Sequence, residues 1–178
     1  MTGEQYLVLS AVGRDRPGLV AEVTEFLVER GCSVEESRMA VLGGEFGMIM
    51  LVRGPADRVL KLAQEAADLE QRTGLQFLFR TTVPPHQRGI RPSVPYRLSA
   101  RCLDHEGVVH AVSEALSELG VNIASLETTA YSAPITGTPL FRMDALLEVP
   151  ADLPPPRLRT ALASLADQQN LDIEVHPV

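Results

Sequence analysis

Hydrophobic positions along the chain recur with two different periods, and the switches between them mark out the elements. Tyr6 to Val12 is a short apolar run ending in a polar, glycine-containing turn, which reads as a strand. Leu19, Val20, Val23, Phe26 and Leu27 then recur at helical spacing until Gly31 stops the helix. Pro17 suits the entry to that helix, because it has no N–H to leave unpaired and its φ is already fixed. Ser33 to Leu42 and Glu45 to Val52 read as a hairpin around Gly43 and Gly44. Ala56 to Gln71 reads as a second helix and Leu75 to Val83 as a last strand, giving the order βαββαβ.

The same pattern returns later in the chain. At an offset of 89 positions Asp15 falls on Asp104, Gly18 on Gly107, Val23 on Val112, Leu27 on Leu116, Gly31 on Gly120 and Val34 on Ile123. A repeat of this length means two small domains and not a solenoid. The second set of elements is Tyr96 to Leu103, Gly107 to Leu119, Asn122 to Tyr131, Leu140 to Val149, Pro156 to Gln168 and Leu171 to His176. Its hairpin is longer: Phe46 and Met48 align with Phe141 and Met143 only at an offset of 95, so about six residues are inserted, within SAPITGTP from Ser132 to Pro139. Loops of that kind carry function or mobility, or are plain elongations.

The boundaries predicted are unit one over residues 1–83, a Pro-rich linker over 84–92 and unit two over 93–178. The stretch from Pro84 to Pro95 has four prolines and no periodicity, so the whole of it reads as a semi-rigid spacer. Two helices on one face of a four-stranded antiparallel sheet is the ferredoxin-like α+β arrangement. Two such units are expected either to bury apolar surface against each other or to join edge strands.

Composition narrows the function classes. A formal net charge of −7, with Lys61 the only lysine, repels phosphate backbones, so direct binding to nucleic acid is not expected. No apolar run approaches the ~18 residues a membrane span needs. Glu4 stands where a signal peptide would be basic, so a cytoplasmic location is expected. Cys32 and Cys102 occupy unrelated repeat positions and read as reduced thiols. Cys102, His105 and His110 suggest a metal site at first sight, but a strand, a turn and a helix start supply no fourth ligand, and neither a metal nor a cofactor is expected. No nucleophile–base spacing or phosphate-cradling loop occurs, which argues against an enzyme. The enzyme reading that remains is a small phosphatase using Arg14 or Arg16, which unit two does not repeat.

Both units carry a strand, then Asp-x-Pro/Glu-Gly, a helix with one apolar stripe, a glycine, and a polar residue followed by Val or Ile. This run resembles the ACT domain, a ferredoxin-like module that binds amino acids and regulates metabolism. The tandem arrangement, with APITGTPLFRM in the second hairpin, most resembles the glycine cleavage system transcriptional repressor family. The resemblance implies an amino-acid-responsive regulator acting through a protein partner such as a transcription regulator. Glycine is among the candidate ligands, and a homodimer fits the pattern. An interaction module without ligand is the alternative.

Ligand sites of the family use the loop between the first strand and helix with the start of the second strand, usually where two ACT units meet. Here those positions are Asp15, Arg16, Pro17, Gly18 and Leu19 with Ser33 and Val34. In unit two they are Asp104, His105, Glu106, Gly107 and Val108 with Asn122 and Ile123. Glycine allows close backbone approach, and the free N–H groups of a helix start attract a carboxylate. Asn122 offers donor and acceptor together where Ser33 has a shorter reach, so unit two is the better site on side-chain grounds. Glu106, in place of Pro17, either repels a bound carboxylate or holds an ammonium group. The plainer reading is that Asp15 and Asp104 cap helices and the glycines serve only the turns.

Overall fold

The computed structural model describes residues 3–84, 87, 89 and 91–178, and the chain divides into two compact units, Met1–Gly89 and Ile90–Val178. Unit one contains β1 (Glu4–Arg14), α1 (Leu19–Glu29), β2 (Ser33–Leu42), β3 (Glu45–Pro55), α2 (Ala56–Gln64), α3 (Ala66–Thr73) and β4 (Gln76–Thr82). Unit two contains β5 (Ser93–Leu103), α4 (Val108–Glu118), β6 (Asn122–Ser132), β7 (Pro139–Pro150), α5 (Pro155–Gln169) and β8 (Asp172–Pro177). The sheets run β2-β3-β1-β4 and β6-β7-β5-β8, all antiparallel, which is the ferredoxin-like α+β order.

Each unit is built around one sheet face. In β1 the burial alternates along the strand, so Leu7, Leu9 and Ala11 point under the helices while Val8, Ser10 and Val12 point away. The helix stripes meet that face: Leu19, Val23, Phe26 and Leu27 from α1 and Val59, Leu62 and Leu69 from α2 and α3 form one core. Leu98, Ala100, Val112, Leu116, Met143, Leu147, Leu158 and Leu162 do the same in unit two. Full burial of such a side chain contributes roughly 1.5–3 kcal/mol, so these stripes hold each unit together.

Two expectations need correction. The helix expected over Ala56 to Gln71 is two helices, interrupted at Glu65, whose φ of −98° and ψ of 8° leave helical geometry. The carboxylate of Glu65 accepts a hydrogen bond from Arg30 Nε at 2.5 Å, while the Arg30 guanidinium lies 3.6 Å from the centre of the Phe26 ring. The apolar stripe runs on through the break, which is why periodicity does not register it. The spacer expected from Pro84 to Pro95 ends earlier, because Ser93, Val94 and Pro95 already pair with β7. Pro85, His86, Arg88 and Ile90 of that spacer lie outside the described residues.

The faces turned away from the helices differ in character. In unit one Val12, Ile49 and Leu78 stand on that face and are about half exposed or more, at 52%, 49% and 62%. In unit two the corresponding rows are charged, with Arg97, Arg101, Arg142, Asp144 and Glu127. Among the described residues no helix is long and apolar enough to cross a membrane.

Candidate functional site

The loop after the first strand is built the same way in both units. Gly18 opens α1 with φ 97° and Gly107 opens α4 with φ 89°, a left-handed conformation that a residue with a Cβ adopts only at a cost. Neither helix has a side-chain cap, so Asp15 and Asp104 are not capping residues: each lies three positions before the glycine. Their backbones are held instead by the neighbouring hairpin. The Asp15 N–H donates to the Gly44 carbonyl at 3.1 Å, and the Asp104 N–H donates to the Pro139 carbonyl at 3.0 Å. Both aspartates are exposed, and among the described residues neither carboxylate has a hydrogen-bond or ion-pair partner. The hairpin of unit one turns on Gly43 and Gly44, both at positive φ, the requirement of a type I′ turn. That of unit two continues through Ala133 to Thr138, closed by Ala133 N–H to Thr138 O at 2.8 Å.

Around the unit-one loop lies an open cavity of about 290 Å³ formed by Asp15, Arg16 and Gly18, the first residues of α1, and Met39 and Phe46. Its volume falls just below the range of about 300–1,000 Å³ for ligand pockets, which suits something as small as an amino acid. Leu19 is buried and closes the floor, and Val108 is buried at the equivalent position of unit two, so both act as scaffold. Arg16 is committed elsewhere. Its guanidinium donates to both carboxylate oxygens of Glu22, at 2.5 and 2.9 Å, and to the Arg72 carbonyl at 3.2 Å. That bond holds the Glu22 carboxyl below its ordinary range. A phosphate would have to displace it, which weighs against the phosphatase reading.

Met39 and Phe46 were not among the sequence candidates. The ladder registers place Thr128 and Phe141 at the equivalent positions of unit two, since Met39 faces Met48 and Thr128 faces Met143. The wall is therefore apolar in unit one and partly polar in unit two. In unit two His105 Nδ1 lies 3.1 Å from the Glu106 carbonyl, and Pro17, Glu106 and His105 are all exposed.

The second group of candidates stands elsewhere. Ser33 pairs with Arg53 and Asn122 with Glu148, and each is followed by a β-bulge, between Val34 and Glu36 and between Ile123 and Ser125. The bulges fall at the same repeat position, and such irregularities re-aim side chains beside sites. Along β3 the distance from Gly44 to Arg53 is nine residues, as is that along β7 from Pro139 to Glu148. At about 3.3 Å per residue this separates the loop from the strand start by roughly 30 Å. One unit does not bring Asn122 to the Asp104 loop, nor Ser33 to the Asp15 loop. The reason is connectivity: α4 carries the chain back to the other end of the sheet before β6 begins. Asn122 is itself engaged, donating from Nδ2 to Glu148 Oε2 at 2.7 Å. Among the described residues no three of His, Cys, Asp and Glu are placed to hold a metal ion.

Comparison with known proteins agrees with this construction. Residues 5–80 match the model of the ACT domain. The glycine cleavage system transcriptional repressor of Escherichia coli K12 is 26% identical over 184 residues, covering all of this chain and 93% of the repressor. A protein of unknown function from Galdieria sulphuraria superposes with a TM-score of 0.83 at 34% identity, covering 99% of both chains. A crystal structure assigned provisionally as a glycine cleavage system transcriptional repressor superposes at 0.74 over 98% of each chain, and at 22% identity it speaks for the fold alone. Residues 5–80 thus form an ACT domain, the second unit repeats its strand order, and over its full length the chain resembles the glycine cleavage system transcriptional repressor.

Proposed function

We propose that this protein is an amino-acid-responsive regulator that acts through a protein partner. The observation carrying this reading is the loop made twice: a left-handed glycine opening a helix, with an unpaired aspartate held against the neighbouring hairpin by its own backbone N–H. Free N–H groups at a helix start bind a carboxylate, and the aspartate beside them suits an ammonium group. Glycine is the first ligand to test, since the relative's name links it to glycine cleavage. The candidate contacts are Asp15 to Leu19 with Ser33 and Val34, and Asp104 to Val108 with Asn122 and Ile123.

Loop and strand start lie at opposite ends of each sheet, so each supplies half of a contact set. A second copy of the chain can bring a strand start against a loop, and ligand binding then favours the dimer by as much as it prefers that state. Transmission has a short route in unit two, where the Asp104 N–H holds the base of the inserted hairpin at Pro139. That hairpin presents Ile135, 98% exposed, at its tip, the feature that also favours the ligand-free interaction module. Sedimentation velocity with and without glycine tests the proposal. A ligand-dependent rise in dimer that Asn122→Ala suppresses is expected, and a distribution indifferent to every amino acid leaves the interaction module as the function.

A further inference from the structure

The outward face of the unit-two sheet holds a second concave surface, whose lining shares no residue with the helix-start loop of that unit. It is a basin of about 580 Å³ lined by Arg101, Glu127, Thr129, Tyr131, Arg142 and Asp144. A smaller hollow of about 250 Å³ adjoins it and shares Glu127 and Asp144. The ladder explains why these side chains converge. Thr129, Arg142 and Arg101 form one row across β6, β7 and β5, and Glu127, Asp144 and Ser99 form the next.

Two guanidinium groups therefore stand directly opposite each other on neighbouring strands, an arrangement that is unfavourable unless an anion lies between them. The charges are only partly matched within the chain. Arg142 Nε donates to Asp144 Oδ2 at 2.5 Å, leaving its terminal amino groups available. Among the described residues Arg101 makes no ion pair, and neither does Glu127. Hydroxyl groups of Thr129 and Tyr131 complete the rim.

We propose that this basin is a second ligand site, for a small zwitterion of the α-amino-acid class. Its carboxylate sits between Arg101 and the free end of Arg142, and its ammonium group faces Glu127. The planar fork of a guanidinium matches a carboxylate, and the hydroxyls add donors on the same side. A phosphate carries more negative charge towards Asp144 and Glu127 and is disfavoured by them. The site shares no residue with the helix-start loops, so it stands or falls apart from the function proposed above.

The test is a titration of the isotope-labelled full chain followed by amide chemical shifts, with glycine, acetate and inorganic phosphate as probes. Glycine and acetate should produce saturable shifts at residues 101, 129, 131 and 142, glycine binding the more tightly and phosphate the least. Arg101→Gln should weaken glycine and acetate by about tenfold or more, as expected for a lost charged hydrogen bond. Glu127→Gln should weaken glycine alone, while Asn122→Ala should leave these four shifts unchanged. Absence of saturable shifts there, shifts that survive Arg101→Gln, or phosphate binding as tightly as glycine would each overturn the site. Shifts confined to residues 104–108 and 122 would do so as well, while supporting the loop site.

Discussion

Replacing Gly107 by alanine separates the two roles a glycine can have at a helix start. Its φ is 89° and ψ −4°, and a Cβ built there meets nothing within 4 Å, so any loss must come from the backbone and not from a clash. Placing an L-residue in this conformation costs roughly 1–2 kcal/mol, and the reduced freedom of the unfolded chain returns about 0.4–1 of that. The net destabilisation is about 1 kcal/mol, which for a unit of this size lowers Tm by roughly 4–8 °C. Gly18→Ala should behave alike, since its φ is 97° and the nearest atom to an added Cβ, Glu22 Oε1, stands at 3.4 Å. Asparagine at position 107 should be milder, because its side chain tolerates the left-handed region. Urea unfolding followed by circular dichroism gives the magnitude, and hydrogen exchange over residues 93–178 assigns it to unit two. A Gly107→Ala chain as stable as the parent would refute the claim that the turn requires glycine.

Glu22 provides the pH test. Its carboxyl is held below its ordinary value of 4.5 mainly by the Arg16 hydrogen bond, so the stabilisation is complete above that value and is lost as pH falls through the folded one. Glu22→Gln should therefore lower stability at neutral pH, and the deficit should shrink as pH falls below 4.5; a deficit that stays the same size as the solution is acidified would contradict the assignment. Cys102 should be alkylated faster than the buried Cys32, both slowly at neutral pH because burial pushes each thiol above its usual 9.0, and rapid labelling of Cys32 in the native chain would count against this packing. The isolated chain, at net charge −7, should show no sequence-specific DNA binding at physiological salt in a mobility-shift assay, and a tight complex would defeat the partner-mediated reading.

The fold was legible because core and chain order leave separate marks. Stripes such as Val112 and Leu116 announce a helix, and the alternation of Leu98 and Ala100 announces a strand with one buried face. The hairpin of β2 and β3 was legible in its turn, where the paired Gly43 and Gly44 accept positive φ. The break at Glu65 was not, since it leaves the stripe in register. The bulges after Val34 and Ile123 left no mark either: β2 and β6 are exposed edge strands, so burial does not impose alternation on them. For the site, the loop residues were readable from the glycines. Their grouping with Ser33 and Asn122 came from resemblance, and the sheet separates the two sets by its length. Met39 and Phe46 reach the loop only through strand pairing, a contact between residues distant in sequence.

The central claim is that the helix-start loops and strand starts bind an amino acid, and calorimetric titration of the full chain with a set of amino acids tests it most directly. Saturable binding of at least one, glycine first among them, is expected. Asn122→Ala should weaken it by about 0.5–1.5 kcal/mol, the net worth of one ordinary hydrogen bond at this exposed position. Heat of binding from no amino acid, or an affinity that Asn122→Ala and Gly107→Ala both leave untouched, would contradict the account.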